Sequence, residues 1–219
     1  VAGRLIALEG IDGSGKTTQA RLLAEACGAL ATFEPGATPA GAVLRRVLLD
    51  PDLPRLGPLA EALVVSADRA RHVAEVLRPA LVADRWVVTD RWTASTLAYQ
   101  GAGQGVPRDI LDRLGQAATG GLLADLVVVV DLPPEVAEAR RAPAGASTSP
   151  GAERQGRPDR MEARGPAFAE TVRQGFLALA AEDPERVVVV DGGGSVAEVH
   201  QAIRRVVAAR LGDPPGGWR

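Results

Sequence analysis

Residues 10–17 read GIDGSGKT, a glycine followed after four residues by Gly-Lys-Thr. Glycines at 10, 13 and 15 open backbone conformations closed to other residues, so successive N–H groups can converge on one anion. RLIALE (4–9) upstream is a short apolar run, and downstream Thr17–Cys27 sets Leu22, Leu23 and Ala26 on one side, as an amphipathic helix does. Strand, glycine turn and helix form the context in which this pattern cradles a nucleotide phosphate, the helix start adding its positive dipole end. The spacing makes Gly10, Ile11, Asp12, Gly13, Ser14, Gly15, Lys16, Thr17 and Thr18 the candidate ATP-binding segment. Lys16 reaches the β/γ oxygens and Thr17 sets its hydroxyl on Mg2+. Lys16 is also the only lysine in a chain that otherwise uses arginine. A compact ammonium has been kept where a planar fork does not fit, against something small and anionic.

The rest of the chain supports the same fold class. ALATFE (29–34), RWVVTD (85–90), DLVVVVDL (125–132) and RVVVVDG (186–192) are apolar and β-branched without in/out alternation, the pattern of strands buried on both faces. Helical periodicity separates them, with Val43, Leu44, Val47 and Leu48 in 41–49 and Val199, Ile203, Val206 and Val207 in 196–211. The expectation is an α/β P-loop fold, a five-stranded parallel sheet with helices on both faces, in one domain over 1–211. Ligands in such sheets bind beyond the carboxyl ends of the strands, here Glu9, Glu34, Asp90, Asp131 and Asp191. Residues 57–83 read as a mostly helical insertion, and 142–158 are too rich in Gly, Ser and Pro to be rigid. The tail GDPPGGWR (212–219) is expected to be flexible.

Composition narrows the function. A net charge of −2 argues against a general nucleic-acid or anionic-membrane binder. The single cysteine, Cys27, ends an apolar helix and reads as a small buried residue. With no secretory pattern and no spanning apolar run, the expected location is the cytoplasm. The chain contains no asparagine, so the N-K-x-D guanine-reading motif of GTPases is missing. His72 and His200 have no second His or Cys at ligand spacing and read as structural or surface residues. A compact cradle with two insertions fits a small-molecule kinase, one module holding the donor, another the acceptor, and a lid excluding water.

EGIDGSGKTTQ, EPGAT, SADRARHVAEVLRPAL, DRWTASTLAYQG and PDRME, in that order, resemble thymidylate kinase over residues 3 to about 211. The resemblance implies ATP and dTMP as substrates, Mg2+, a homodimer and the strand order 2-3-1-4-5. It also makes about 35–83 the acceptor region and about 142–160 the lid. Arg91 is implied to bridge donor and acceptor phosphates, a placement that favours charge spread over a transferring phosphoryl group. Asp90 is implied to hold Mg2+ through water. Arg45 matches the arginine that grips the dTMP phosphate, whereas Arg46 reads as a solvated neighbour. Arg69 matches the arginine that donates to thymine O4, and Gln100 can pair with N3–H, a combination that rejects cytosine. Glu34 and Thr96 fall on acceptor-site positions, Tyr99 packs under the sugar, and Asp12 meets the 3′-hydroxyl. Arg154 and Arg157, with Arg160 beside them, bring lid charge to the phosphates. Arg140 is a candidate for stacking on adenine.

Some positions depart from the family pattern. Phe33 replaces an arginine before Glu-Pro-Gly, Ala37 replaces a glycine, Trp92 replaces a tyrosine, and Thr96 stands for Ser/Asn. Val65, four residues before Arg69, takes the place of the phenylalanine that stacks on thymine, so that either base affinity is weaker or the stack comes from elsewhere, with Phe33 the candidate. A kinase for dUMP or a broader pyrimidine set, and a non-catalytic nucleotide-binding regulator, remain as alternatives.

Overall fold

The computed structural model describes residues 3–141 and 160–219. The apolar runs become β1 (Leu5–Glu9), β2 (Leu30–Phe33), β3 (Val87–Asp90), β4 (Leu126–Asp131) and β5 (Val187–Asp191). All pair in parallel in the order β2-β3-β1-β4-β5, which is the order the resemblance implies.

Alternate residues of β1 and β4 enter different cores, which explains why their sequences do not alternate in polarity. Ile6, Leu8, Leu126, Val128 and Val130 pack with Leu23 and Cys27 of α1 (Lys16–Cys27) and with Val199, Ile203 and Val207 of α9 (Val196–Leu211). Leu5, Ala7, Val127 and Val129 face the other way, onto Val172 and Phe176 of α8 (Pro166–Glu182) and onto Val73 and Leu77. Burial of both faces extends through β1 and β3, but β2 and β5 are only partly covered, because each lies at a sheet edge with one neighbour. Cys27 is buried, and that burial pushes its thiol up to about 11, in keeping with an inert packing residue.

Between β2 and β3 the chain forms α2 (Pro39–Leu49), α3 (Pro58–His72), a π-helical turn (Val73–Leu77) and α4 (Arg78–Val82). Thr38 caps α2, its hydroxyl accepting from Gly41 N at 2.9 Å, and Pro39 follows at the first helical position. After β3 come α5 (Thr93–Thr96), a second π-helical stretch (Leu97–Ala102) and α6 (Arg108–Thr119); α7 (Pro134–Arg141) follows β4. Among the described residues no helix is long and apolar enough to cross a membrane.

Residues 212–219 lie against α1 and α9: Arg219 N donates to Ala26 O at 2.9 Å, and the Trp218 ring packs on the α1/α9 core with the Arg204 guanidinium 4.6 Å from its centroid. Trp218 Nε1 donates to Asp213 Oδ1 at 2.7 Å, closing the turn.

Candidate active site

The glycine turn begins at the carboxyl end of β1. Gly10 has φ 139° and Gly13 has φ 87°, and a side chain at either would also collide: a Cβ at Gly10 would lie 2.6 Å from Val130 O, and one at Gly13 2.6 Å from Ala137 O of α7. Both positions require glycine on conformational and steric grounds. Lys16 opens α1 almost fully buried, its Nζ 3.3 Å from Ile11 O and 3.2 Å from Asp12 Oδ1. The ammonium is thus folded back over the turn where phosphate oxygens would enter.

Asp12 is the electrostatic hub. Its Oδ1 accepts from Arg91 Nη2 as well as from Lys16, and its Oδ2 accepts from the Tyr99 hydroxyl at 3.1 Å. Burial raises the Asp12 carboxyl, but Arg91 and Lys16 together outweigh it and hold the group well below the usual carboxylate range. Burial likewise pushes the Tyr99 phenol well up, so its hydroxyl stays protonated and donates to Asp12.

Arg91 follows β3 at φ 76°, an uncommon conformation for a residue with a side chain. The turn is held from below by Glu9, which ends β1. Glu9 Oε1 accepts from Trp92 N at 2.8 Å and Ser95 N at 3.1 Å, and Oε2 accepts from the Ser95 hydroxyl at 2.5 Å. The Arg91 guanidinium then reaches Gly10 O at 3.2 Å and Ser95 Oγ at 3.0 Å, and lies 5.0 Å from the Tyr99 ring centroid. Strain at a side chain aimed into a charged site is a mark of function.

One cavity gathers most of the predicted residues. Its walls include Asp12, Lys16, Glu34, Arg45, Arg69, Asp90, Arg91, Thr96, Tyr99 and Gln100, so every position assigned to the acceptor nucleotide faces the same space as the cradle lysine. Phe33 and Val65 also line it, with Ser95, Leu48, Leu49 and Met161, which the sequence reading did not assign. Arg45 Nη1 donates to Pro35 O at 2.8 Å, and Arg46 on the same helix is exposed, as expected.

Arg69 is 1% exposed and fixed on three sides: Nε donates to Glu34 Oε2 at 2.9 Å, Nη1 to Thr96 Oγ1 at 3.1 Å and Nη2 to Trp92 O at 3.1 Å. Its guanidinium also lies 5.3 Å from the Trp92 ring centroid. Glu34 lines the cavity with its carboxylate committed to Arg69 and to His72 Nδ1 at 2.9 Å. His72, which the sequence left as structural or surface, is fully buried.

Thr17 and Asp90 fit a hard divalent cation. The Thr17 hydroxyl donates to Asp90 Oδ2 at 2.5 Å, and Asp90 Oδ1 is buried with no hydrogen-bond partner among the described residues. A hydroxyl and a carboxylate, with few other protein ligands, suit an Mg2+ that keeps much of its water. No group of three or more His, Cys, Asp or Glu able to hold a metal occurs among the described residues.

The arginines assigned to the donor side fare differently. Arg154 and Arg157 lie outside the described residues. Arg160, expected to face the phosphates with them, is buried and donates instead to Asp50 O and Leu53 O at 2.5 Å and to Pro54 O at 3.1 Å. Carbonyls just past the end of α2 attract a guanidinium, and nothing in the local sequence reveals them. Arg140 is exposed on α7, donating to Gly193 O at 3.2 Å.

Similarity to known proteins agrees with this arrangement. A sequence profile described as thymidylate kinase matches residues 8–203. A thymidylate kinase of Thermosynechococcus vestitus is 45% identical over 96% of this chain and 89% of its own, and one of Symbiobacterium thermophilum is 42% identical over 92% and 91%. The crystal structure of thymidylate kinase from Ehrlichia chaffeensis superposes with a TM-score of 0.73 at 28% identity, covering 94% of this chain and 99% of that one. With a matching profile over most of its length and relatives at 45% and 42% identity, the chain belongs to the thymidylate kinase family.

Proposed function

We propose that the protein transfers the γ-phosphoryl group of ATP to the 5′-phosphate of dTMP, giving ADP and dTDP. The observation that supports this most directly is the single cavity in which Lys16 and Arg91 share walls with Arg45, Arg69 and Gln100. A phosphate held by Lys16 and one held by Arg45 then meet at Arg91, whose fork can bind oxygens of both and favour the charge of the transition state. Asp12 accepts from the sugar hydroxyl in exchange for its present partners. Arg69 and Gln100 set the base by hydrogen bonds that cytosine cannot complete.

In this reading Thr17 holds Mg2+ directly and Asp90 holds it through water. When bound, the ion neutralises the β- and γ-phosphate oxygens. Arg154 and Arg157 add positive charge on the donor side, and Arg140 stays beside the adenine. The chain works as one kinase domain in the cytoplasm, and as a homodimer. Exposed Val43 on α2, with Leu59 and Leu63 one turn apart on α3, gives a second copy an apolar face to cover.

A coupled ADP assay over dTMP, dUMP, dCMP and UMP, run beside Lys16→Ala, tests the reading. Turnover confined to dTMP and abolished in the variant is expected. Comparable turnover of dUMP would favour the broader pyrimidine kinase that Val65, with no ring to stack on a base, leaves room for. ATP binding without transfer to any monophosphate would favour the non-catalytic regulator.

A further inference from the structure

His72 takes no part in the chemistry above, yet it is fully buried and hydrogen-bonded at both ring nitrogens. Its Nδ1 lies 2.9 Å from Glu34 Oε1 and its Nε2 lies 2.7 Å from Thr32 Oγ1. A carboxylate can only accept, so Nδ1 carries the proton, and the Thr32 hydroxyl donates to Nε2 when the ring is neutral. The result is a chain of contacts from Thr32 at the end of β2 through His72 and Glu34 to Arg69, which sits one helical turn before His72 on α3.

The chain has a consequence for the arginine. A guanidinium has five N–H groups. Arg69 commits one from Nε to Glu34, one from Nη1 to Thr96 and one from Nη2 to Trp92, leaving one on each Nη for anything that enters the cavity it lines. Glu34 touches Arg69 at Nε only, because its other oxygen is taken by His72. With His72 removed, Glu34 Oε1 would be a buried carboxylate oxygen without its partner, and the guanidinium already bound to Oε2 is a donor able to satisfy it. Carboxylates pair with arginine most readily through two parallel N–H contacts. The second contact would consume a hydrogen that faces the cavity or turn the fork away from it.

We propose that His72 is a specificity-determining positioning residue: by occupying one oxygen of Glu34 it restricts that carboxylate to a single contact with Arg69 and so keeps guanidinium N–H groups available to read a pyrimidine carbonyl. The proposal rests on dTMP as acceptor. Asp68, buried beside the same residues, does not replace His72 as Glu34's partner, since its Oδ1 accepts from Gly36 N at 3.0 Å and, once ionised above about pH 6, it offers Glu34 no hydrogen.

The test compares the wild-type protein with His72→Ala, His72→Asn and His72→Gln, measuring kcat, KM for dTMP and for ATP, and the ratio of kcat/KM for dTMP to that for dCMP. Asparagine sets its amide near the Nδ1 position, within reach of Glu34, and glutamine sets its amide near the Nε2 position. His72→Ala is expected to raise KM for dTMP by ~10-fold and to lower the dTMP/dCMP ratio by a similar factor, with KM for ATP within ~2-fold of wild type. His72→Asn should recover most of both effects and His72→Gln little of either. A merely structural histidine predicts otherwise: both KM values would drift together, and the Asn and Gln variants would behave alike. That outcome, or a folded His72→Ala enzyme with unchanged dTMP parameters, overturns the proposal. If His72→Ala does not fold, the Asn/Gln comparison decides by itself. A wild-type protein that fails to phosphorylate dTMP would overturn the functional reading, whereas a dTMP-specific wild type with indifferent variants would overturn only the role of His72.

Discussion

The Thr17 hydroxyl donates to Asp90 Oδ2 at 2.5 Å, tying the first turn of α1 to the carboxyl end of β3. The contact places the two oxygen donors expected to serve Mg2+ side by side, one directly and one through water. Loss of a group that orients a metal's water shell commonly weakens binding by ~10–100-fold, and Asp90→Asn is expected to raise the half-saturating free Mg2+ by that factor. A titration of activity against free Mg2+ at saturating nucleotides would check it; an unchanged midpoint would assign Asp90 to structure alone.

Arg91 serves Gly10, Asp12, Ser95 and Tyr99 with one fork, which a lysine ammonium at the end of a flexible stem cannot reproduce. Arg91→Lys keeps the charge and loses the geometry. A fall in kcat of ~10²–10³-fold is expected, the scale on which a donor aimed at a developing charge acts. Steady-state kinetics beside a thermal melt would separate this from unfolding, since KM for ATP and the melting temperature should change little.

Much of this site was legible because the chemistry imposes spacing. The glycine turn with Lys16 and Thr17 is contiguous, whereas Arg69, Arg91, Tyr99 and Gln100 were found through segments that resemble those of thymidylate kinase. The three contacts that fix Arg69 come from separate parts of the chain, Glu34, Thr96 and Trp92, and no local pattern announces such a convergence. Glu9 was visible as a strand-end acid, but its work is to hold the 91–95 turn, which only the pairing of β1 with β3 reveals. Arg160 misled for a related reason: its sequence neighbours indicate a charged loop, whereas its partners are carbonyls more than a hundred residues away.

Two buried carboxyls predict an unusual pH response. Burial pushes Asp68 up from 3.8 to about 6, with the Glu34 charge adding to it and the Gly36 N–H, His72 and Arg69 opposing; burial pushes Glu9 up from 4.5 to about 7 against Ser95, Arg91 and the Trp92 N–H. A carboxyl whose folded value exceeds its unfolded value holds more proton in the folded state between the two, so its contribution to stability falls as pH rises through that interval. For Asp68 the interval is about pH 4 to about pH 6, and the loss is on the order of 3 kcal/mol. Asp68→Asn cannot ionise and should flatten this part of the curve. Urea unfolding of both proteins from pH 4.5 to 7.5 checks the sign; equal slopes would mean that Asp68 titrates normally.

Phe33 lines the acceptor cavity along with Val65, the position where a stacking ring is missing. If its ring serves the base, Phe33→Ala removes a contact worth ~1–3 kcal/mol and should raise KM for dTMP roughly 5- to 150-fold with KM for ATP unaffected. Unchanged KM for dTMP would exclude the ring from base binding.

Trp218 tests whether the tail is part of the fold or an appendage. Its ring packs on the α1/α9 core, the Arg204 guanidinium lies against it, and the Arg219 N–H that follows meets the last turn of α1 at Ala26 O. Only about half of such a ring's burial is realised at a partly exposed position, so Trp218→Ala is expected to cost about 1–2 kcal/mol. The site lies at the other end of α1, where Lys16 and Thr17 depend on the helix's start and not on its end. Turnover per folded molecule should therefore stay near wild type while the urea midpoint falls. A variant with an unchanged midpoint would mean the tail docks without stabilising the fold, and one with lost turnover at full stability would place the tail in communication with the phosphate cradle through α1.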